Sequence, residues 1–370
     1  MSRSRVLVIE ADYDAMREAV DTVFESFPLD VDGKTVLLKP NMLGVYGPET
    51  HANTHPTLIT ALVERLREDG ARVVVGDNPG TSGYGAVEKS AKISGIGEAS
   101  KGAFENIATD PVRVKLKGRD VEVSVSRRVL DADIVISVPK FKTHTYTRIT
   151  GAVKNSYGYI VGGDKARLHL ENPNFKDFSE VVTEVYRLRP PDLVVMDAVV
   201  CIQGNGPQNK FFYDAGKLMA SDNGVAIDSV MARMIGIKPR RVRMLEYACE
   251  LGLGPIDEED IEVEGDASRL KHFRRPVPSL PQRFGGRWTM AFFPDIGRPR
   301  FDVDEGLCNS CRSCMEACPA DAITFDGKQG PTYDSEGCIA CYCCMELCPQ
   351  TALSLHESMR TKIYRRMGFM

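Results

Sequence analysis

The sequence predicts an α/β protein, with a mostly parallel, mixed sheet flanked by helices, followed by a small α+β domain. Three observations support this organisation. Residues 5–270 alternate short β-branched runs with amphipathic helical patterns, the order typical of a sheet built from β-α-β units. Nine of the eleven cysteines lie between Cys308 and Cys348, so the end of the chain has a composition of its own. The length of 370 residues exceeds one typical domain and favours two or three units.

Hydrophobic periodicity predicts the first elements of the larger part. Residues 5–9 are an apolar run that predicts a strand, and the segment after it has the spacing of an amphipathic helix. Residues 35–39 and 71–77 predict two further strands. The helix between them should begin at Pro56, because proline suits the first helical position, and should end at Gly70. The apolar residues at helical spacing in the first helix are Met16, Val20, Val23, Phe24 and Phe27.

Three later segments complete the predicted strands. Residues 112–125 predict a hairpin that turns at residues 117–119, an antiparallel departure from the parallel scheme. Residues 133–140 and 192–197 are nearly continuous apolar runs, which are typical of strands buried on both faces of a sheet.

Composition argues against several classes of protein. Lys and Arg number 47 against 51 for Asp and Glu, and the net charge of −4 predicts no general affinity for nucleic acid. No window approaches the length of a membrane span, and the apolar run at residues 6–9 is too short for a signal-peptide core. We therefore expect a cytoplasmic protein that does not bind membranes, in a compartment that keeps thiols reduced.

The cysteines form two copies of one motif. Cys308-x2-Cys311-x2-Cys314-x3-Cys318-Pro319 recurs thirty residues later, beginning at Cys338 and ending at Cys348-Pro349. This spacing is typical of bacterial double-cluster ferredoxins, in which the fourth cysteine of each run binds the other cluster. The alternative is zinc, which paired C-x2-C motifs also bind, but two complete quartets followed by prolines favour two 4Fe-4S clusters. The predicted ligand sets are Cys308, Cys311, Cys314 and Cys348 for one cluster, and Cys338, Cys341, Cys344 and Cys318 for the other.

The repeat extends beyond the cysteines. The residues after each quartet match, starting at Asp321 and at Thr351, so each half should contribute a short helix and a strand. Cys343 lies beside the second quartet and is interpreted as a free thiol packed near the cluster. Cys201 and Cys249 are isolated and should be apolar filler.

Composition also sets the domain boundaries at 1–270, 271–300, 301–356 and 357–370. The second range has five prolines and seven basic residues against one acid, and predicts a linker. The third is strongly acidic, so we expect the basic linker to wrap along it. A solvated connector is the alternative. The last range is a basic tail to which we assign no function.

Polar residues cluster where the predicted strands end. In open α/β sheets, ligands bind beyond the carboxyl ends of the strands, so these side chains should converge on one rim if the strands are parallel. Lysines and carboxylates together predict an anion site with acid/base capability, whereas unrelated surface charges are the alternative. The residues concerned are Lys39, Asn41, Asp77, Lys140, Lys142, His144 and Asp197.

The segment of residues 143–169 is dense in hydrogen-bond donors and glycines. Lys154, Asn155, Lys165 and His169 could donate to phosphate or carboxylate oxygens. The glycines would let the backbone approach a ligand, and a flexible, solvated loop is the alternative. Neither a dinucleotide nor a P-loop motif occurs. The glycines are Gly151, Gly158, Gly162 and Gly163.

Three stretches carry a family resemblance. LLKPNML (37–43), SVPKFKTHTYTRITGAVKNSYG (137–158) and VVMDAVVCIQGNGP (194–207) resemble the domain of unknown function 362 family, which is often fused to a two-cluster ferredoxin domain. The resemblance covers residues 35–235, and members are iron–sulfur proteins of undetermined reaction. It therefore implies architecture and a redox context. The polar signature that it implies here is Lys39, Asn41, Lys140, Lys142, His144, Lys154 and Asn155.

Together these patterns favour an iron–sulfur oxidoreductase. A ferredoxin or similar redox partner would reduce the two clusters, which would pass single electrons to an anionic small molecule at the rim. His144, Asp77 and Lys140 are the candidate catalytic residues. The rim could also hold a flavin or a second metal. The candidate substrate-binding residues are Lys39, Asn41, Lys142, Lys154, Asn155, Lys165, His169 and Asp197.

Two other functions stay open at this point. The chain could be a non-catalytic electron carrier or assembly subunit that docks to a redox partner, or it could perform acid/base chemistry beside purely structural clusters. A buried rim favours the oxidoreductase, and a flat apolar patch beside the clusters favours the carrier. A homodimer is a further possibility.

Overall fold

A computed structural model describes residues 3–80, 85–276, 301–325, 330–339 and 341–355. Residues up to 276 form an α/β domain around a nine-stranded sheet, and residues 301–355 form a small second domain. The strands outside the second domain are β1 (Ser4–Glu10), β2 (Thr35–Pro40), β3 (Arg72–Val75), β4 (Pro111–Lys115), β5 (Glu122–Ser126), β6 (Ile134–Val138), β7 (Lys140–His144), β8 (Arg148–Thr150), β9 (Leu193–Ile202), β10 (Phe212–Ser221) and β11 (Ile261–Gly265).

Helices cover both faces of this sheet. They are α1 (Met16–Ser26), α2 (Pro56–Glu68), α3 (Ala86–Ile93), α4 (Ile96–Ala99), α5 (Arg127–Asp131), α6 (Ala152–Asn155), α7 (Asp164–Glu171), α8 (Phe175–Leu188), α9 (Gly224–Met234) and α10 (Arg243–Glu250). Short 3-10 turns lie at Pro48–Thr50, Ser156–Tyr159, Pro239–Arg241 and Glu258–Asp260.

The sheet is mixed but mostly parallel, as the sequence predicts. Its order is β11-β1-β10-β9-β6-β2-β3, and β7 pairs with β9 on one side and with β8 on the other. Strand β10 runs antiparallel to both of its neighbours, whereas β9, β6, β2 and β3 run in one direction. The carboxyl ends of these four parallel strands therefore meet at one edge of the sheet.

Both faces of the sheet are buried, which explains why its strands are continuously apolar. Successive side chains of a strand point to opposite faces. Leu7 packs with helices α1 and α2, while Val6 and Val8 pack in the larger core with α8 and α9. The second domain contributes to that larger core, through Tyr342 and Met345 among others.

The first local predictions are confirmed. Helix α1 covers the predicted apolar positions apart from Phe27, which is its C-cap, and α2 begins at Pro56. The hairpin consists of β4 and β5, paired antiparallel across the predicted turn.

The strand ends differ from the prediction in one respect. Asp197 lies in the middle of β9, which continues to Ile202, and the polar run 140–144 is itself strand β7. Strands β6 and β7 follow each other along β9, separated at Pro139, which has no N–H to donate. The segment after β7 is folded and largely buried, so the solvated-loop alternative is wrong.

The second domain contains the predicted internal repeat. Each half gives a short helix and a strand: α11 (Ser313–Glu316) with β13 (Ile323–Phe325), and α12 (Cys343–Glu346) with β15 (Leu353–Leu355). Strands β12 (Phe301–Val303) and β14 (Pro331–Tyr333) pair antiparallel with β15 and β13. Among the described residues, no helix is long and apolar enough to cross a membrane.

The predicted linker is described only at its start. Phe273 packs edge-on against Phe141 with ring centroids 6.2 Å apart, and the carbonyl of Arg274 accepts a hydrogen bond from Gly204 N–H. The predicted wrapping of residues 271–300 along the cluster domain, like the predicted tail, falls mainly on residues 277–300 and 356–370, which lie outside the described ranges.

Candidate functional site

The cysteines surround two cavities in the second domain. The structure brings together the same two sets of four cysteines that the spacing predicts. One cavity is lined by Cys308, Cys311, Cys314 and Cys348, and the other by Cys318, Cys338, Cys341 and Cys344. Within the described ranges, no three His, Cys, Asp or Glu side chains are grouped closely enough to hold a single metal ion.

The donor set around each cavity suits a cubane cluster. Four sulfurs around a cavity are the ligands that a 4Fe-4S cluster requires. Backbone N–H groups already point at the fourth sulfur of each motif: Ala322 donates to Cys318 Sγ and Ala352 donates to Cys348 Sγ, both at 3.3 Å. Such hydrogen bonds stabilise thiolate charge. The residues therefore fit the cofactor.

The two cysteine loops have different surroundings. Cys311 and Arg312 in the first loop are exposed. The equivalent residues of the second loop, Cys341 and Tyr342, are buried, and the Tyr342 ring lies 6.2 Å from that of Tyr146 in the α/β domain. The second motif thus faces the larger domain.

Helix α12 contacts the polar rim of the sheet directly. Glu346 Oε1 lies 2.8 Å from Nε2 of His144, at the end of β7. The Tyr46 hydroxyl donates to the carbonyls of Glu346, at 2.5 Å, and Cys348, at 3.2 Å. Since Glu346 lies between Cys344 and Cys348, one short helix connects both sets of cysteines with the rim.

The protonation of His144 follows from its contacts. The N–H groups of Tyr146 and Thr147 donate to Nδ1 at 3.0 and 3.2 Å, so the hydrogen of the neutral ring is on Nε2, which faces Glu346. Burial, together with the charge of Lys154, lowers the pKa of His144 to about 4. This geometry does not favour the predicted proton-transfer role, because Nδ1 already has two donors.

The first rim lysine is neutralised within the protein. Lys39 Nζ forms a buried ion pair with Asp77 at 2.6 Å and donates to Asn155 Oδ1 at 3.1 Å. Burial lowers the pKa of Lys39, and Asp77 partly offsets this. Asp77 also accepts from the N–H groups of Met42 and Asn78. Both charged groups are thus fully paired, and a catalytic role for Asp77 has no support in this geometry.

Lys140 is neutralised in the same way. Its Nζ lies 2.8 Å from Asp197 Oδ2 and donates to the Tyr13 hydroxyl at 2.8 Å. Asp197 accepts further hydrogen bonds from Tyr13 and from the His55 N–H. Lys140 and Asp197 are completely buried, so we assign the pair to the core and not to catalysis or substrate binding.

Two other rim lysines, Lys142 and Lys165, donate to neutral oxygens of the protein. Lys142 Nζ donates to Asn41 Oδ1 at 2.6 Å and to the Ala52 carbonyl, and burial lowers its pKa well below the usual value, with Lys154 adding to the effect. Lys165 Nζ donates to the carbonyls of Asn78 and Pro79, and burial lowers its pKa to about 7.

Lys154 differs from the other rim lysines. It is half-buried, and its Nζ has no hydrogen bond or ion pair with any described residue. Its charge nevertheless lowers the pKa values of five surrounding groups, so it lies at the centre of the cluster. These groups are Lys142, His144, Lys165, His169 and Glu346.

Several buried polar atoms of the rim have no hydrogen-bond partner among the described residues. They are His144 Nε2, Glu346 Oε1, His169 Nδ1 and Asn78 Oδ1. His169 stacks on Phe178 at 4.0 Å, and burial lowers its pKa to about 3. The His144–Glu346 contact is short but lacks the angles of a hydrogen bond. Buried polar atoms without partners indicate space for water or a ligand.

The sequence analysis missed two residues of this site, Glu346 and Asp228. Burial raises the pKa of Glu346, but His144 and Lys154 outweigh it and bring the value to about 2. Asp228 is completely buried and accepts the N–H groups of Ala152 and Val153 at 2.7 and 3.0 Å, which fixes helix α6 and hence Lys154. The available signal for Asp228 was that it is the only acid in the mostly apolar helix α9.

Two of the predicted glycines make room for protein carboxylates, not for a ligand. A Cβ on Gly158 would lie 2.0 Å from Asp77 Oδ1, and one on Gly151 would lie 2.1 Å from Asp228 Oδ1. Gly162 and Gly163 have no atom within 4 Å of such a Cβ.

Comparison with known families and proteins agrees with this architecture. Residues 36–233 match the family described as "Domain of unknown function (DUF362)", and residues 307–352 match the 4Fe-4S dicluster domain. A curated relative is the thylakoid-associated protein sll1697 of Synechocystis sp. It is 29% identical over 239 residues, which cover 61% of this chain and 71% of that protein.

Two solved structures share a distant similarity. One is a protein of Thermotoga maritima, with 14% identity, a TM-score of 0.38 and coverage of 66% of this chain and 60% of that one. The other is the lactate racemase apoprotein of Thermoanaerobacterium thermosaccharolyticum, with 10% identity, a TM-score of 0.39 and coverage of 64% and 58%. This chain thus spans about three-fifths of each, and the similarity carries no argument about function.

Proposed function

We propose that this chain, which belongs to the DUF362 family and carries a 4Fe-4S dicluster domain, is an oxidoreductase that passes single electrons to an anionic acceptor held between its two domains. The observation that carries the proposal is the position of Glu346. It sits between two cluster cysteines and contacts His144 at the rim of the sheet.

The two cysteine sets would hold two clusters. The clusters, when bound, supply one electron at a time. Cys308, Cys311, Cys314 and Cys348 would hold the outer cluster, whose exposed loop suits an external donor such as a ferredoxin. Cys318, Cys338, Cys341 and Cys344 would hold the inner cluster, against the α/β domain.

Lys154 is the residue that would bind the acceptor. The pairs Lys39–Asp77 and Lys140–Asp197 are neutral as units, so they add little net charge. Lys154 is left as an unpaired cation, with Lys142 and Lys165 near it and Glu346 opposing them. A site with this balance suits a small anion with one or two charges.

Burial of the rim supports an enzyme over a carrier. Lys142, His144 and Asn155 are at most 2% exposed, so water is largely excluded from the space that Lys154 faces. A site with few waters strengthens the attraction between a lysine and an anion. We further propose a cytoplasmic location, with no role in nucleic-acid binding.

The proposal is tested by reoxidation of the reduced holoprotein without oxygen. A panel of small anionic acceptors is mixed with the dithionite-reduced, desalted protein, and cluster absorbance is followed. We expect at least one acceptor to accelerate reoxidation, and Lys154→Gln to lower kcat/KM about 100-fold. Lys176→Gln, an exposed lysine on α8, is the matched control and should change nothing.

The opposite results are equally clear. If no acceptor accelerates reoxidation, or if Lys154→Gln and Lys176→Gln behave alike with full iron content, the rim is not the site of electron delivery. The carrier alternative would then be favoured.

A further inference from the structure

One hydrogen-bond acceptor of this site is a carboxylate, that of Glu346, which would repel a fully ionised anion. Glu346 is 9% exposed, and the charge of Lys154 helps to lower the pKa of its carboxyl group. A carboxylate offers about four acceptor positions. Its Oε1 lies 2.8 Å from His144 Nε2, a contact that lacks hydrogen-bond angles, and Oε1 has no hydrogen-bond partner among the described residues.

A second buried acceptor lies on the α/β side. Asn78 is 6% exposed, and its amide donates to the Gly158 carbonyl at 2.8 Å, which fixes the orientation of the group. Its Oδ1 is left without a partner among the described residues. Lys165, which donates to the Asn78 carbonyl, connects this residue with the cationic cluster.

The site therefore combines donors for an anion with acceptors that need a hydrogen. Lys154 Nζ would donate to the oxygens of the ligand. The acceptor positions of Glu346 that His144 does not face, and Asn78 Oδ1, would need a donor from a ligand or a water. A fully ionised oxyanion has no hydrogen to offer, and it would place like charges against Glu346.

We propose that this site, given that it holds an anion as argued above, selects an oxyanion that keeps a hydrogen-bond donor. Hydrogen phosphate is the smallest such group, because it retains at least one P–O–H at neutral pH. Sulfate is the matched anion without a proton. Glu346 is then a specificity-determining residue, contributed to the α/β site by the cluster domain.

The experiment compares phosphate with sulfate, by calorimetric titration of the anaerobic holoprotein at pH 7.5. A buried charged hydrogen bond that is lost on changing the ligand costs about 2 to 3 kcal/mol, so phosphate should bind about 100-fold more tightly than sulfate. Methyl phosphate, which is mostly without a proton at this pH, should follow sulfate.

The chain provides its own matched control. Glu316 occupies the position equivalent to Glu346 in the first cysteine repeat, and it is exposed. In Glu346→Gln the new amide can donate to sulfate, so the preference should fall to about threefold or less. Glu316→Gln should keep the full preference. Iron content and the EPR spectrum of each variant show whether its clusters are intact.

The outcomes separate this inference from the proposed function. If neither anion binds wild-type protein, the anion site itself is wrong. If both bind with similar affinity and Lys154→Gln abolishes binding, the anion site stands and the selectivity inference is overturned. If Glu346→Gln and Glu316→Gln have equal effects, Glu346 does not set the specificity.

Discussion

The two cysteine repeats have identical spacing but opposite surroundings. In the first, Arg312 follows the second cysteine and is exposed; in the second, Tyr342 takes that place and is 1% exposed against Tyr146. Both residues adopt the same left-handed conformation, with φ of 64° and 65°. The difference therefore lies in what each loop packs against. One motif can serve solvent and the other the protein interior.

The largest expected difference between the two loops is the effect of removing one cysteine from each. Cys341→Ser and Cys311→Ser should each lose about half of the iron, because in the proposed ligand sets the two thiolates bind different clusters. We expect Cys341→Ser to abolish electron delivery to an acceptor and Cys311→Ser only to slow reduction by an external donor. Iron analysis, EPR and anaerobic reoxidation measure these effects. Identical losses of activity would mean that the clusters are not arranged in series.

The two loops should also differ in how much they contribute to the free energy of unfolding. Tyr342→Ala removes a buried aromatic ring from the contact between the domains, so we expect it to lower the free energy of unfolding by about 3 to 4 kcal/mol. Arg312→Ala at the equivalent exposed position should stay within about 0.5 kcal/mol of wild type. Anaerobic denaturant unfolding tests both. Equal effects would show that the second loop does not depend on the α/β domain.

Acid should lower the free energy of unfolding through His144, which contacts the second repeat at Glu346. The pKa of His144 is about 4 in the folded protein, below its ordinary value of 6.5, so the unfolded state binds more protons between these pH values. The contribution of His144 to the free energy of unfolding is fully present above pH 6.5 and is lost as the pH decreases towards 4. The loss is about 2 kcal/mol between pH 7 and pH 5.

The control for the acid effect is His144→Asn. Asparagine can still accept the backbone N–H groups of Tyr146 and Thr147 but does not titrate. The variant should therefore lose less stability between pH 7 and pH 5 than wild type, measured by unfolding at each pH. An unchanged slope would assign the acid sensitivity to other groups, such as His169, whose pKa is also lowered.

The smallest expected effect concerns a single hydroxyl. Tyr46→Phe removes the donor to the carbonyls of Glu346 and Cys348 but keeps the ring. We expect a loss of about 1 to 1.5 kcal/mol in stability, because buried carbonyls lose their partner. Tyr213→Phe, at a half-buried tyrosine on β10 that packs against Phe273, should change stability less.

Much of the fold followed from local patterns. The start of α2 at Pro56 and the hairpin of β4 and β5 depend on short-range chemistry, which the sequence displays directly. The convergence of Lys39, Asp77 and Lys140 followed from the parallel strands. What could not be predicted is which lysines are paired internally, because that depends on distances between side chains from different strands.

The role of Glu346 was hidden for another reason. Glu316 and Glu346 occupy the same place in the same motif, so nothing local separates the inward residue from the exposed one. The deciding factor is long-range packing of the second repeat against β7 and Tyr46. The sequence did contain one signal for which loop is buried. Arg312 in the first motif is charged, whereas the equivalent Tyr342 in the second motif is aromatic.

The contact of Tyr46 with helix α12 bears on whether the cluster domain of this chain could be exchanged for that of another protein. Its hydroxyl binds main-chain carbonyls, which any ferredoxin graft would supply, whereas the contact with His144 depends on the side chain at position 346. A foreign module with the same cysteines would assemble its clusters and still leave a hole opposite the imidazole. We therefore expect an exchange of modules between relatives to keep this interface only when the residues of both contacts are exchanged together.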